Sequence, residues 1–119
     1  MSNEAVLVPK GPDPVSLLLG RIPEFRDLLD AEDLDLPYVV YGFFAQYLLK
    51  LPESDPILDR AAAFLNDLAE SGNPDLENLV QVAVFEPLAG DAQSTRIKDR
   101  LRGKAMSLFL AAENMPGNS

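Results

Sequence analysis

The feature that most constrains the fold is a proline that directly follows a helix-capping residue, repeated along the chain. The pairs are Asp13-Pro14, Asp55-Pro56 and Asn73-Pro74. An Asp or Asn side chain accepts hydrogen bonds from first-turn N–H groups, and proline is favoured at the first helical position. Inside a helix, proline removes a hydrogen bond. The pattern therefore predicts short helices that begin at these prolines.

Apolar residues between the prolines recur at i, i+3 and i+4, the spacing of one helix face. We expect a break near Gly20–Ile22, a cap for the third helix at Asp33 or Asp35, and a kink or early end near Phe85–Glu86, where Pro87 follows. The helices predicted in this way begin at residue 14 and then cover residues 23–33, 38–51, 56–71, 74–89 and 95–112.

The pattern favours an all-α fold. Strand signals are nearly absent outside residues 5–8, and 119 residues suffice for one domain with its own core. We predict a single domain of five or six helices over residues 14–112, packed as antiparallel hairpins in a HEAT-like or irregular bundle. Residues 1–13 are expected to form an extended arm, and residues 113–119 a flexible tail.

The charge is strongly negative and unevenly distributed. The net charge is −9, and residues 51–95 contain nine acids and a single base, Arg60. Such a chain repels nucleic acid and anionic membranes and attracts basic partners, although acidity can also serve solubility alone. No stretch approaches the ~20 apolar residues of a transmembrane helix. Cysteine is absent, which fits a cytoplasmic protein.

Most catalytic arrangements are excluded by composition. The chain contains neither histidine nor cysteine, so the usual nucleophile–base triads are impossible, and it has no glycine-rich phosphate loop. A Lys104–Ser107 dyad, a carboxylate pair or a weak divalent-ion site around Asp30–Asp35 are alternatives from the residues alone. We expect a protein that is not an enzyme and holds no cofactor or metal.

The best candidate for a binding site is the acidic and aromatic stretch at residues 30–47. Acidic rims steer association, while aromatic residues supply binding energy. The alternative is that the aromatic helix is core and the acidic loop merely solvated. The candidate partner-binding residues are Asp30, Glu32, Asp33, Asp35, Tyr38, Tyr41 and Tyr47.

A basic cluster lies near the carboxyl terminus. Arg96, Arg100 and Lys104 recur at i, i+4 and i+8, which predicts one shared face of a continuous helix. We expect this face to pair with acids of neighbouring helices or to meet the acidic face of a second copy. The chain would then be a monomer or a weak homodimer.

Residues 64–88, "FLNDLAESGNPDLENLVQVAVFEPL", resemble a HEAT-type helical hairpin. The similarity lies in a Leu/Ala-rich first helix, a turn containing Asn-Pro-Asp, and a second helix with Leu76, Val80 and Ala83 facing inward. No second copy of this unit is present, and a solenoid needs at least three. The resemblance implies a local hairpin rather than a repeat protein.

The order of the acidic stretch "LLDAEDLDLPYVVYGFFAQYL" and this hairpin, over residues 24–110, looks like small, acidic, helical bacterial immunity proteins of polymorphic toxin systems. That resemblance implies an inhibitor that neutralises a basic protein partner, such as a cognate toxin. The alternative function is a self-associating structural or adaptor module.

Overall fold

The computed structural model describes residues 13–114, and over these residues the protein is all-α, as predicted. Seven α-helices, two 3₁₀ helices and one π-helical segment are present in this part of the chain. The α-helix count exceeds the predicted five or six because the predicted helices at 74–89 and 95–112 are each divided, while the predicted helix at 23–33 is replaced by the two 3₁₀ helices. The predicted arm, apart from Asp13, and the tail from residue 115 lie outside the described residues.

Helix α1 (Pro14–Arg21) begins as the capped proline predicts. The Asp13 carboxylate accepts hydrogen bonds from the backbone N–H and the hydroxyl of Ser16, at 3.3 and 2.8 Å. The helix ends before Pro23, as expected. The predicted helix over residues 23–33 is instead two 3₁₀ helices, Pro23–Leu28 and Ala31–Asp35, because the backbone at Leu29 and Asp30 is extended.

Helices α2 (Pro37–Lys50) and α3 (Pro56–Ala69) follow. Asp55 caps α3 by accepting a hydrogen bond from the Ile57 N–H at 2.8 Å. The prediction that Asp33 or Asp35 caps α2 was wrong, since its N-cap is Leu36 and no side chain bonds the first turn. Proline at the following position disfavours the α conformation for Leu36 and supplies the helix start by itself.

A turn at residues 70–73 leads from α3 into the next helix. Gly72 has a left-handed backbone, with φ 76°, which fits the predicted end of the preceding helix. Asn73 accepts hydrogen bonds from the N–H groups of Asp75 and Leu76, at 2.9 and 3.3 Å. The predicted helical hairpin is therefore present, and the inward positions of its second helix are buried.

The second helix of this hairpin is a composite helix, in which α4 (Pro74–Leu79), a π-helical segment (Val80–Phe85) and α5 (Glu86–Ala89) run on without a break. We predicted a kink or an early end near Phe85–Glu86. The early end was wrong, and the irregularity there is the π-helical segment that ends at Phe85. The Glu86 N–H bonds the Gln81 carbonyl five residues back. A proline ring clashes with the carbonyl four residues earlier, here that of Ala83, and the wider π turn accommodates it.

The predicted helix over residues 95–112 is divided into α6 (Thr95–Lys98) and α7 (Gly103–Glu113). Gly103 has φ 58°, a left-handed conformation that interrupts the helix. The side chains of Asn66, in α3, and Glu70, at its end, form hydrogen bonds with the backbone between α6 and α7. The Glu70 carboxylate accepts a hydrogen bond from the Lys104 N–H at 2.9 Å and so satisfies a first-turn donor of α7.

One continuous core joins these helices. The rings of Phe25 and Phe44 meet at 5.4 Å, and those of Phe85 and Phe109 also at 5.4 Å, both edge to face. Such pairs add about 0.5–1.5 kcal/mol each beyond the burial of their surfaces. No buried side-chain nitrogen or oxygen within residues 13–114 lacks a hydrogen-bond partner.

Candidate protein-interaction surface

The acidic segment, defined as Asp30, Glu32, Asp33 and Asp35, lies on and beside the second 3₁₀ helix. The Asp30 N–H donates to the Asp33 carboxylate at 3.3 Å, which ties the start of the segment to its middle. Three of the carboxylates are exposed and Asp33 is half-buried. None forms an ion pair with a described residue, so their charge is available to a partner.

Tyr38 is the tyrosine that lies on the surface beside this segment. Its side chain is 47% exposed at the start of α2. Its hydroxyl oxygen accepts a hydrogen bond of 2.7 Å from the exposed side chain of Asn78, in α4. The ring is therefore held in one orientation while much of it faces solvent.

Tyr41 belongs to the core and not to the surface that we predicted. Its side chain is 0% exposed, and its hydroxyl donates to the Pro14 carbonyl at 2.7 Å. Burial raises the pKa of Tyr41 far above its ordinary value, and the nearby carboxylate of Asp13 adds to the effect. The hydroxyl fixes α2 against the start of α1, and this explains why a polar residue occupies the core.

Tyr47 is half-buried and belongs to a different cluster. Its ring lies 5.2 Å from that of Phe25. Burial raises the pKa of Tyr47, as do the charges of Glu24 and Asp55, while Arg60 lowers it. Arg60 also forms an ion pair with Glu24. Tyr47 thus packs beside the first 3₁₀ helix rather than beside the acidic segment.

The outer face of α2 exposes large apolar side chains that the sequence interpretation did not single out. Leu36, Val39 and Phe43 recur at i, i+3 and i+7 and therefore share one face. Val39 is 40% exposed and Phe43 is 47% exposed. The sequence did contain a signal for this exposure. Apolar residues cover nearly the whole circumference of α2, and such a helix is either buried on all sides or covered by a partner.

Val82, in the π segment, is a further exposed apolar side chain, on the composite helix that packs against α2. A Cβ atom on Gly42 would lie 4.0 Å from the Ala83 carbonyl oxygen, so the two helices approach closely at this point. Val82 is exposed and adjoins Ala83, while Phe43 adjoins Gly42. We call Leu36, Tyr38, Val39, Phe43 and Val82 together the apolar face.

Four of the five basic residues near the carboxyl terminus have side chains engaged within the molecule. Arg100 pairs with Asp59 at 2.8 Å, Lys104 with Glu77 at 2.8 Å, and Lys98 with Glu113 at 3.0 Å. Pairing with acids of neighbouring helices was one of the two outcomes we expected.

The expectation that Arg96, Arg100 and Lys104 share one helix face was wrong, because residues 99–102 separate α6 from α7, with Arg102 extended and Gly103 left-handed at the start of α7. Arg96 instead donates to the Leu51 carbonyl and to the Gln93 side chain.

Among residues 13–114, no group of three or more acidic side chains is close enough to hold a metal ion. Nor is any helix in that range long and apolar enough to cross a bilayer. A cavity of about 520 Å³ lies between α1, α3 and the start of α4. Across it, Arg21 and Asp67 pair at 3.0 Å and Arg21 lies 5.3 Å from the centre of the Phe64 ring.

The chain matches a known protein-family model. The model of a domain of unknown function, DUF7674, matches residues 15–109 and so covers most of the chain, from α1 into α7. The chain belongs to the DUF7674 family. The DUF7674 match includes every residue of the acidic segment and of the apolar face. No curated protein and no solved structure gave a significant match.

Proposed function

We propose that this DUF7674 protein is a non-catalytic binding protein whose acidic segment and apolar face engage a basic protein partner. The observation that carries the proposal is the continuity of these two features. Four carboxylates without an ion pair to a described residue end at Asp35, and the exposed apolar side chains begin at Leu36.

The two parts of this surface have different physical roles. Partly exposed aromatic and aliphatic side chains gain binding energy when a partner removes them from water, and interface centres are enriched in aromatic residues. Carboxylates at the rim act over longer distances and chiefly raise the association rate of a positively charged partner. A basic protein with an apolar patch would bind the apolar face through that patch and the acidic segment through its charge.

The charges of the remaining surface support the same partner. Five of the arginine and lysine residues, Arg21, Arg60, Lys98, Arg100 and Lys104, already pair with carboxylates of the chain. The uncompensated charge is therefore acidic, in keeping with a net charge of −9. We infer that the partner brings the opposite sign.

The biological role we propose is that of an immunity-type inhibitor, which neutralises a toxin by occupying its basic surface. The resemblance of residues 24–110 to immunity proteins supports this role. The alternative of a self-associating module depended on a free basic helix at the carboxyl terminus. It loses that support, because Arg100 and Lys104 are paired within the molecule.

The test is a titration of this protein with the product of the adjacent gene, by calorimetry at low salt, with association and dissociation rates measured by surface plasmon resonance. We expect a one-to-one complex, which Phe43→Ala weakens through the dissociation rate. Reversal of charge at Asp33 and Asp35, to lysine, should slow association and reduce its salt dependence. Reversal of charge at Glu53 and Asp99, two exposed residues outside this surface, changes the net charge by the same amount and should leave the association rate much less affected.

Two outcomes would overturn the proposal. One is the absence of a complex with a basic partner. The other is a complex whose association rate is unchanged by reversal of Asp33 and Asp35 and whose dissociation rate is unchanged by Phe43→Ala. A stable dimer in sedimentation, disrupted by Phe43→Ala and indifferent to any partner, would favour the self-associating module instead.

A further inference from the structure

A second cavity, of about 330 Å³, adjoins the apolar face. Its walls include the apolar side chains of Pro14, Pro37, Leu76 and Leu79, together with Tyr38 and Asp75. Tyr38 also belongs to the apolar face, so the cavity opens beside the surface that the proposed function uses. Its volume is at the lower end of the range of small-ligand sites.

Asp75 is the acidic group of this cavity. Its carboxylate is exposed and has neither an ion pair nor a hydrogen bond to any described side chain. It lies one helical turn before Asn78, the residue that bonds the Tyr38 hydroxyl. Side chains at i and i+3 are neighbours on a helix surface, so Asp75 and Tyr38 lie on the same side of α4.

The start of α4 does not repel a cation at this point as strongly as a bare helix terminus would. The N–H groups of Asp75 and Leu76 both donate to the Asn73 side chain. The carboxylate of Asp75 lies in the first turn and offsets the positive end of the helix dipole, whereas that of Glu77 is already paired with Lys104.

We propose that this cavity receives an arginine side chain of the basic protein partner, an inference that rests on the proposed function. The methylene groups of arginine pack against the leucine and proline walls, as long basic side chains do on apolar surfaces. The guanidinium group reaches the Asp75 carboxylate and lies against the oriented ring of Tyr38. Arginine fits better than lysine because its planar group binds carboxylates in a bidentate manner and stacks on aromatic rings.

The test uses N-acetyl-arginine amide as the probe and follows the backbone amide signals of the full chain by NMR. We expect saturable shifts centred on Tyr38, Asp75, Leu76 and Leu79. N-acetyl-citrulline amide, which has nearly the same shape without the charge, should bind at least several-fold more weakly. Asp75→Asn should weaken binding of the arginine probe by about twofold to fivefold, the range of an exposed ion pair.

Asp91→Asn removes one charge elsewhere and serves as the control, with no effect on this probe. Equal shifts with the arginine and citrulline probes, or binding that survives Asp75→Asn unchanged, would overturn the inference. A partner complex that is weakened by Phe43→Ala but insensitive to Asp75→Asn would also overturn it and leave the proposed function standing. Failure of the proposed function appears separately, as the absence of any complex with a basic protein.

Discussion

Asn66 accepts a hydrogen bond from the backbone N–H of Arg102 at 3.1 Å, across 36 positions of the sequence. Its amide nitrogen donates to the Arg100 carbonyl at 3.3 Å. Asn66 is buried in α3, and it therefore satisfies one backbone group on each side of Leu101, in the break between α6 and α7. A side chain of a helix distant in sequence thus stabilises the break between α6 and α7, which the sequence of residues 95–112 alone does not predict.

Replacement of Asn66 by alanine should lower the free energy of unfolding by about 1–3 kcal/mol, because two part-buried backbone groups lose their partner. Asn78→Ala removes an exposed side chain and should change stability by less than about 0.5 kcal/mol. Urea unfolding of the two variants measures both values. Equal costs would mean that Asn66 does not hold the break.

Gly103→Ala should destabilise the protein by about 1–2 kcal/mol. Its φ of 58° disfavours any side chain, and a Cβ atom would lie 2.6 Å from the Glu70 carboxylate oxygen that bonds α7. Gly20→Ala is the matched substitution, since Gly20 lies within α1 and nothing lies within 4 Å of its Cβ position. It should stabilise the protein by about 0.5–1 kcal/mol. Thermal unfolding should therefore give melting temperatures that move in opposite directions.

Phe43 and Phe44 are consecutive and should behave in opposite ways. Phe44 is 0% exposed, and Phe44→Ala should cost about 3–5 kcal/mol of unfolding free energy through the cavity that it leaves. Phe43→Ala should cost about 1 kcal/mol or less, because nearly half of that side chain already faces water. Chemical denaturation checks the difference. A large cost at Phe43 would assign this residue to the core and remove it from the apolar face.

The stability of the fold should decline in alkali because of Tyr41. Burial raises the pKa of Tyr41 in the folded state above the ordinary value near 10. The folded protein therefore retains a proton that the unfolded chain releases. This contribution is complete below about pH 10 and is lost as the pH rises towards the folded pKa, by up to about 1.4 kcal/mol per pH unit.

Tyr41→Phe is the variant that isolates this effect. It should lower stability at pH 8 by about 0.5–1.5 kcal/mol, through loss of the bond to the Pro14 carbonyl, and it should flatten the decline above pH 10. Tyr38→Phe should retain the decline. Unfolding free energies at pH 8, 10 and 11 distinguish the variants, and an unchanged slope in Tyr41→Phe would contradict the assignment.

The capped prolines show which helix starts can be predicted from neighbouring residues alone. Asp13, Asp55 and Asn73 each cap the helix that begins at the following proline, because both partners of the cap lie within three residues of each other. The predicted caps Asp33 and Asp35 failed, since the chain before Pro37 forms a separate 3₁₀ helix. A cap depends on where the preceding segment ends, and packing decides that.

The candidate surface was predicted in part. Three of the four carboxylates of the acidic segment are exposed, as its composition suggests, and Tyr38 lies beside it. Tyr41 was assigned to the wrong side of α2, because an apolar pattern around the whole helix does not state which face the neighbours cover. For the same reason Val39, Phe43 and Val82 were not expected at the surface.

The sequence by itself determined the all-α class, the starts of α1, α3 and α4, and the excess of acidic charge. Those properties follow from residue type and from contacts between near neighbours in the chain. Only the tertiary structure decided that the composite helix continues past Pro87, that Asn66 and Glu70 bond the backbone around Gly103, and that α2 leaves Phe43 in water while it buries Tyr41. Each of these depends on groups far apart in sequence, whose meeting is fixed by packing.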